Sequence, residues 1–477
     1  MALSFCCRGS ENRHLRDSVL SPDIGMKVLM LTDSFLPHAG GSREYYNNIY
    51  RNLVDLGDSE VTILTKKIPG WKEFDNIASK QFFRIKRRYK PLASLKYQEL
   101  PKGLGPFLDA AWHALRYSPD IVHAGDLYPP GVTAMILKKL LGLPYVVYCH
   151  GEEISQLDNY KYQPLVRNRI YLNADAVIAA SEFTRNNLVK LGVPECRICK
   201  IVPGVDSTRF RPMPRRTDLQ QRYGLEGKTV VLTVARLIPR KGHQAALNAF
   251  ATVCHDIPDA HYLIVGTGPE GPRLRQMVQG AGLSERVTFA GYVTAEQLPD
   301  IYNLCDIMLM PNRQEKDGDV EGFGIVFLEA NAVGKPVIGG RTGGTPEAIA
   351  DGSTGFLVNP DDPDEIAGRL RQLLLDPGLR ERLGAAGVRR VRSDFSWETR
   401  ARILRGVNLD ILKRDGRKLE FKARVSNIGE NPTGSEILQR RTEDGSAKKI
   451  NDKEGDLVSL ERDGEHRLVP IERDERI

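Results

Sequence analysis

Strand-like apolar runs alternate with helical patterns along most of the chain. The first run, KVLMLT, precedes SREYYNNIYRNLVDLG, where Tyr46, Ile49, Tyr50 and Leu53 recur at the i, i+3, i+4, i+7 spacing of one helix face. Gly57 follows as a stop. EVTILT, DIVHA, PYVVYCH and AVIAAS continue the series. After the turn-rich IVPGVDSTRFRP a second series runs TVVLTVA, HYLIVG, RVTFAGY, DIMLMP, KPVIGG and GFLVN, with helical segments between. Continuous apolar strands separated by helices imply a parallel sheet covered on both faces. Two such series predict an α/β chain of two doubly wound, Rossmann-like domains, over 26–203 and 204–393. A terminal helix follows over 394–416. Residues 1–25 read as a mobile extension, with Met26 just ahead of the first strand. In 417–477 nearly half the residues are charged and Phe421 is the only aromatic. That tail is expected to be either disordered or a small β appendage, with LVSLERDGEHRLVPI as a hairpin around Asp463 and Gly464.

Composition narrows the class. An apolar fraction of 41% and a charged fraction of 27% are those of an ordinary soluble protein. No apolar stretch reaches the roughly 20 residues a membrane span needs, and the N-terminus lacks a signal-peptide core. Seven cysteines in 477 residues give no disulfide framework, which points to the reducing cytosol. Cys196 and Cys199 form a C-x-x-C pair, but no second pair has metal-site spacing. The net charge of +7 is unevenly spread. Residues 80–96, KQFFRIKRRYKPLASLK, carry seven basic side chains and no acidic one, with Lys80 and Lys96 at the ends. Such a run suits an anionic surface, here lipid headgroups over nucleic acid, because no nucleic-acid module accompanies it.

The candidate chemistry starts from a glycine motif that misleads. GTGPEG, residues 266–271, has the G-x-G-x-x-G spacing of a dinucleotide-binding turn. A true fingerprint opens its domain and is followed by an acidic residue at the end of the next strand. Here the motif lies inside the second series, RVTFAGY ends without an acid, and Pro269 and Pro272 sit where the helix should approach the sheet. Gly266 and Gly268 are therefore expected to make a tight turn at the lip of a crevice. The stronger segment is DVEGFGIVFLEANAVGKPVIGG, where Glu321 and Glu329 bracket a glycine-rich helix start. The amides of Phe323, Gly324 and Ile325 are orphan donors there, available to an anion or hydroxyls. Carboxylates accept well from sugar diols. Asp317 and Asp319 form a D-x-D just upstream, a lookalike of a metal signature.

With these residues the chain resembles the retaining glycosyltransferases of the GT-B fold that use nucleotide-sugars and carry an E-x7-E element. The likeness runs through PHAGGSREYYNNIYRNL, SPDIVHAGD, VVYCHGEE, ADAVIAASEFTRNNL, VPGVDSTRFRP, VARLIPRKGHQAALNAF, IVGTGP and FAGYV to the E-x7-E segment. That last segment is similar to mannosyltransferases acting on phosphatidylinositol lipids. The resemblance implies a diphosphate clamp of Arg236 and Lys241, since a departing nucleoside diphosphate needs fixed positive charge. It implies that Gly40 and Gly41 offer amides at a helix N-terminus to a phosphate. Glu329 would hold the ribose, Glu321 the transferred sugar's hydroxyls, and His150 the sugar near its reacting carbon. Tyr292 and Val293 would present backbone to the base. The implied reaction moves a hexosyl group, mannosyl first and then glucosyl or N-acetylhexosaminyl, to a hydroxyl of a lipid-linked or glycan acceptor. GDP-mannose leads UDP- and ADP-sugars as donor, and no metal or other cofactor is required. The implied place is the cytoplasm, with peripheral contact at the membrane's inner face. No catalytic base is identified. A nucleotide-sugar epimerase shares the two-domain layout, and a non-catalytic sugar-nucleotide sensor would share the binding residues.

Overall fold

The computed structural model describes residues 25–33, 35–37, 40–81, 84–88, 104–151, 154, 163–416, 460–462 and 468–470. The N-terminal extension, the later part of the basic run, and most of the charged tail lie outside them. Residues up to Lys422 form one unit and Ala423–Ile477 another.

The first unit contains two parallel sheets. One has β1 (Met26–Leu31), β2 (Ser59–Lys66), β3 (Arg84–Arg88), β4 (Ile121–Ala124), β5 (Tyr145–Cys149), β6 (Ala176–Ala179) and β7 (Ile198–Lys200). Their order is β3-β2-β1-β4-β5-β6-β7. The other has β8 (Thr229–Val234), β9 (Ala260–Val265), β10 (Val287–Gly291), β11 (Ile307–Met310), β12 (Val337–Gly340) and β13 (Gly355–Val358). These run β10-β9-β8-β11-β12-β13. Both sheets thus follow the doubly wound order 3-2-1-4-5-6, which opens a crevice beyond the carboxyl ends of the strands where the order reverses. The switch points are β1/β4 and β8/β11, and the two crevices supply the site.

The apolar runs became strands as expected because both faces are covered: Val28, Met30 and Ile63 belong to one cluster, Leu29, Leu31 and Leu64 to another. Two strands were not anticipated. Strand β3 lies inside the basic run and pairs in parallel with β2, Ile63 opposite Ile85. It is an edge strand in which Ile85 packs inward and Lys86 is exposed. Strand β7 closes the other edge through Val177 and Ile198.

Helix α1 (Gly41–Asp55) buries Tyr45, Tyr46, Ile49, Tyr50 and Leu53, the face its periodicity predicts plus one neighbour. The expected terminal helix spans Trp397–Arg414. It does not stay with the second sheet that precedes it. Its Trp397, Ala401, Leu404 and Leu412 join the cluster of α1, and Trp397 meets Tyr45 edge-on at 5.4 Å. Arg405 pairs with the partly buried Asp58. The chain therefore crosses between the halves twice at one place, where the Val205 amide donates to the Phe395 carbonyl at 2.9 Å. Gly204 is required there, since a Cβ would lie 2.8 Å from that carbonyl.

In the second unit β14 (Leu460–Arg462) pairs antiparallel with β15 (Leu468–Pro470), Glu461 opposite Val469. The two strands fall within LVSLERDGEHRLVPI; Asp463 and Gly464, where a turn was expected if the tail made a hairpin, lie outside the described residues. Among the described residues no helix is long and apolar enough to cross a membrane.

Candidate functional site

Arg236 follows β8 in a loop held by the glycine motif. The Leu237 amide donates to Thr267 and its carbonyl accepts from Glu270, both at 3.0 Å. A Cβ on Gly268 would stand 2.7 Å from the Leu237 nitrogen, and Gly266 adopts φ +132° against the Ala235 carbonyl. The glycines thus allow two loops to touch and fix the backbone that carries Arg236, in keeping with the turn expected of them. From the other side His243 Nε2 donates to the Arg236 carbonyl at 3.0 Å. His243 is buried, and burial drags its pKa down to about 4, so the ring is neutral.

Lys241 and Glu321 form an ion pair with side chains 11% and 13% exposed. Burial pushes the Glu321 carboxyl up, but Lys241, Arg240 and Arg236 outweigh it and hold the pKa below the usual range. Glu321 is therefore a carboxylate in the field of three cations. Arg240, adjacent to Lys241, faces differently: it is buried and donates to Asp319 at 2.7 Å and to the Val320 carbonyl at 3.4 Å. Asp317 accepts from the Asp319 amide at 3.0 Å. Both carboxylates of the D-x-D thus shape the polar loop that delivers Glu321. No group of three or more metal-ligating side chains occurs among the described residues.

The helix Ile325–Ala332 starts at Gly324, which has a left-handed φ of 92°. Phe323 is buried beneath this start, and Ile325 packs against the cluster of the first sheet. Glu329 lies one turn along and accepts from the Tyr302 hydroxyl at 2.7 Å. Burial raises its pKa to about 7; the Tyr302 bond opposes this, Glu44 of α1 adds to it, and Arg209 opposes it. A residue three positions after Gly41 thus acts on Glu329 from across the crevice. Gly40 and Gly41 are exposed at the start of α1, and a Cβ on Gly41 would meet nothing within 4 Å. Tyr292, 64% exposed, and the buried Val293 follow β10 at another strand end.

His150 follows β5 and is held by aromatic rings: Tyr148 stacks on it at 6.3 Å, and Tyr45 and Tyr46 meet it edge-on at 5.3 and 5.4 Å. Its Nε2 lies 2.7 Å from the Tyr46 hydroxyl. Its carbonyl abuts Gly322 so closely that a Cβ there would overlap it. The halves touch again at Glu347, which accepts from the Glu182 amide and from Lys200 Nζ, the latter at 3.0 Å. Glu321, Lys241, the Arg236 loop and the His150 backbone therefore converge. Gly40 and Gly41 stand at the start of α1, Tyr292 and Val293 follow β10, and Glu329 lies inside the helix Ile325–Ala332. Tyr46, Tyr302, His243 and Glu347 were not anticipated. The tyrosines sit at core spacing, and nothing in the sequence marks where a core hydroxyl points.

Both halves of the chain match known family models. The model for Glycosyltransferase Family 4 matches residues 39–209, and that for Glycosyl transferases group 1 matches 215–390. The GDP-mannose-dependent alpha-(1-6)-phosphatidylinositol monomannoside mannosyltransferase of Mycolicibacterium smegmatis is 33% identical over 78% of this chain and 96% of its own. The chain is a GT-B glycosyltransferase. Its likeness to the Arabidopsis thaliana sulfoquinovosyl transferase SQD2 is lower, 27% over 78% of this chain and 70% of the relative. In fold the glycosyltransferase is similar to Anabaena HepE solved with UDP and glucose, with a TM-score of 0.66, 22% identity, and coverage of 82% and 99% of the two chains. It is also similar to a sucrose-phosphate synthase from Thermosynechococcus elongatus, with a TM-score of 0.65, 23% identity, and coverage of 82% and 100%.

Proposed function

We propose that this glycosyltransferase moves mannose from GDP-mannose to a hydroxyl of a phosphatidylinositol-type glycolipid, with retention at the anomeric carbon and without a metal ion. The observation that carries the reading is the Lys241–Glu321 pair beside the Arg236 loop. In this reading Lys241 and Arg236 meet the diphosphate while Glu321 accepts from hydroxyls of the sugar. Gly40 and Gly41 amides at the α1 start approach a phosphate from the opposite half. The amides of Phe323, Gly324 and Ile325 meet the donor at the second helix start, Glu329 takes the ribose diol, and Tyr292 and Val293 flank the base. His150 meets the sugar near its reacting carbon.

The bond from the anomeric carbon to the β-phosphate oxygen breaks with its electron pair staying on phosphate. The acceptor oxygen bonds to the same face, and its proton passes to the leaving phosphate oxygen. Arg236 and Lys241 stabilise the charge that develops there, which is where fixed cations lower a barrier most. The donor and acceptor classes are supported by the mycobacterial-type relatives, which are named for GDP-mannose and phosphatidylinositol monomannoside.

Incubation with GDP-mannose and phosphatidylinositol monomannoside, with and without EDTA, tests the reading. An α-mannosylated lipid formed equally in both is the expected product. Altered nucleotide-sugar in the absence of acceptor would instead identify an epimerase. No transfer to lipid, with transfer to a soluble glycan, would move the acceptor class. The run containing β3 is proposed to hold the first half against an anionic leaflet at the cytoplasmic face. Charge reversal of Arg84, Lys86, Arg87 and Arg88 should then abolish co-sedimentation with phosphatidylinositol vesicles, and unchanged binding would end that idea.

A further inference from the structure

One contact between the halves is joined by backbone directly to Glu321. On the first half the helix Glu182–Lys190 begins at Ser181, whose side chain accepts from the Thr184 amide at 3.2 Å. The Glu182 amide, at that helix start, donates across to the Glu347 carboxylate of the second half. A helix N-terminus favours negative charge there. Lys200, the last residue of β7, completes the contact: its Nζ lies 3.0 Å from Glu347 and 3.0 Å from Glu182. Partial burial lowers the Lys200 pKa, but the two carboxylates outweigh it and raise it, so the ammonium stays charged between them.

Glu347 lies in the short helix Thr345–Ala348, which is held from behind. Arg390 donates to the Glu347 carbonyl at 2.7 Å and to the Ala348 carbonyl at 2.6 Å. The same guanidinium stands over the Phe395 ring at 4.8 Å, and Phe395 is the residue that takes the Val205 amide at the double crossover. Ahead of Glu347, the Gly344 amide donates to the Glu321 carbonyl at 3.0 Å. A Cβ on Gly344 would overlap the Gly322 carbonyl and lie 2.9 Å from Ser181 Cβ, and one on Gly343 would overlap the Glu321 carbonyl. The two glycines thus press the segment 343–347 onto the Glu321 backbone on one side and onto Ser181 of the first half on the other. We propose that Glu347 is a positioning residue: by pairing with the Glu182 amide and Lys200 it seats this segment and so places the Glu321 carboxylate for the donor sugar. Contact between the halves is thereby passed through backbone to the site. This rests on the reading above that Glu321 meets the sugar.

The test combines hydrogen exchange of the full chain, read by mass spectrometry, with transfer from GDP-mannose to phosphatidylinositol monomannoside. In Glu347→Ala, peptides spanning Ser181–Thr184 should exchange about tenfold faster than in wild type, because the Glu182 amide loses its acceptor. The kcat for transfer should fall about tenfold, as a small misplacement of a reacting group costs. GDP affinity should change far less, since Arg236 and Lys241 are untouched. Lys200→Met should move exchange and kcat in the same directions, and Lys200→Arg should restore both. Because Glu347 acts through Glu321, adding Glu347→Ala to Glu321→Gln should cost less than about twofold more. The full tenfold loss in that background, or wild-type transfer in Glu347→Ala beside a slow Glu321→Gln, would overturn the proposal alone. Wild-type transfer in Glu321→Gln would instead overturn the reading of Glu321 on which it rests. Should Glu347→Ala not fold, Lys200→Met and its arginine counterpart, each alone and with Glu321→Gln, decide the matter.

Discussion

Two carboxyl groups eight residues apart are shifted in opposite directions by their neighbours. Glu321 lies in the field of Lys241, Arg240 and Arg236, which hold its pKa below the usual range, whereas for Glu329, bonded to Tyr302 with Glu44 acting on it, desolvation raises the pKa to about 7. The sign follows from linkage. The folded chain retains a proton on Glu329 that the unfolded chain releases, so this group's contribution to stability falls as pH rises from the unfolded value through about 7. A ribose diol is better held by the carboxylate, which accepts both hydroxyls. Affinity for GDP-mannose is therefore expected to rise with pH up to about 7 and then level off, and Glu329→Gln should flatten the profile. Calorimetry at several pH values reads this directly, and a flat wild-type profile would reject it. At this scale the charged members were legible as a spaced motif. The hydroxyls and the buried His243 were not, because a tyrosine at helical spacing and a histidine at a helix start carry no mark of what they bond.

Elements were legible where burial leaves a pattern. Strands β1, β8 and β9 are buried nearly end to end and read as unbroken apolar runs. Edge strands β3 and β7 escape because an edge needs little apolar surface; RIKRR looks like a solvated patch and is one side of a ladder. The terminal helix was legible as a helix, but an apolar stripe does not state its partner, and only the structure shows it returning to α1. The loop before Ile325–Ala332 had a further requirement hidden in its glycines. Gly322 lets the His150 carbonyl approach, and the Gly322 carbonyl in turn lies where a Cβ on Gly344 would be. Gly322→Ala should keep the halves from meeting. Misplacement of that size costs transfer on the order of 100-fold, and the particle measured by small-angle scattering with GDP should be larger than wild type. Wild-type turnover in this variant would show that the contact is incidental.

The whole molecule repeats one strand order twice and turns the two switch points into one reaction site. The fold class was therefore open to inference from alternating runs alone, while the way the halves meet, through Gly322, Glu347 and the double crossover at Val205 and Phe395, was not. In the proposed reading, cations on the second half and amides on the first share the diphosphate, which would need no metal ion. The most direct test is calorimetry of GDP-mannose in EDTA, paired with turnover, for wild type, Arg236→Ala and Lys241→Ala. Wild type should bind and turn over in chelator, and each variant should lose about 2–4 kcal/mol of transition-state stabilisation. Near-wild-type turnover in either variant, or activity lost in EDTA and restored by magnesium, would contradict the clamp.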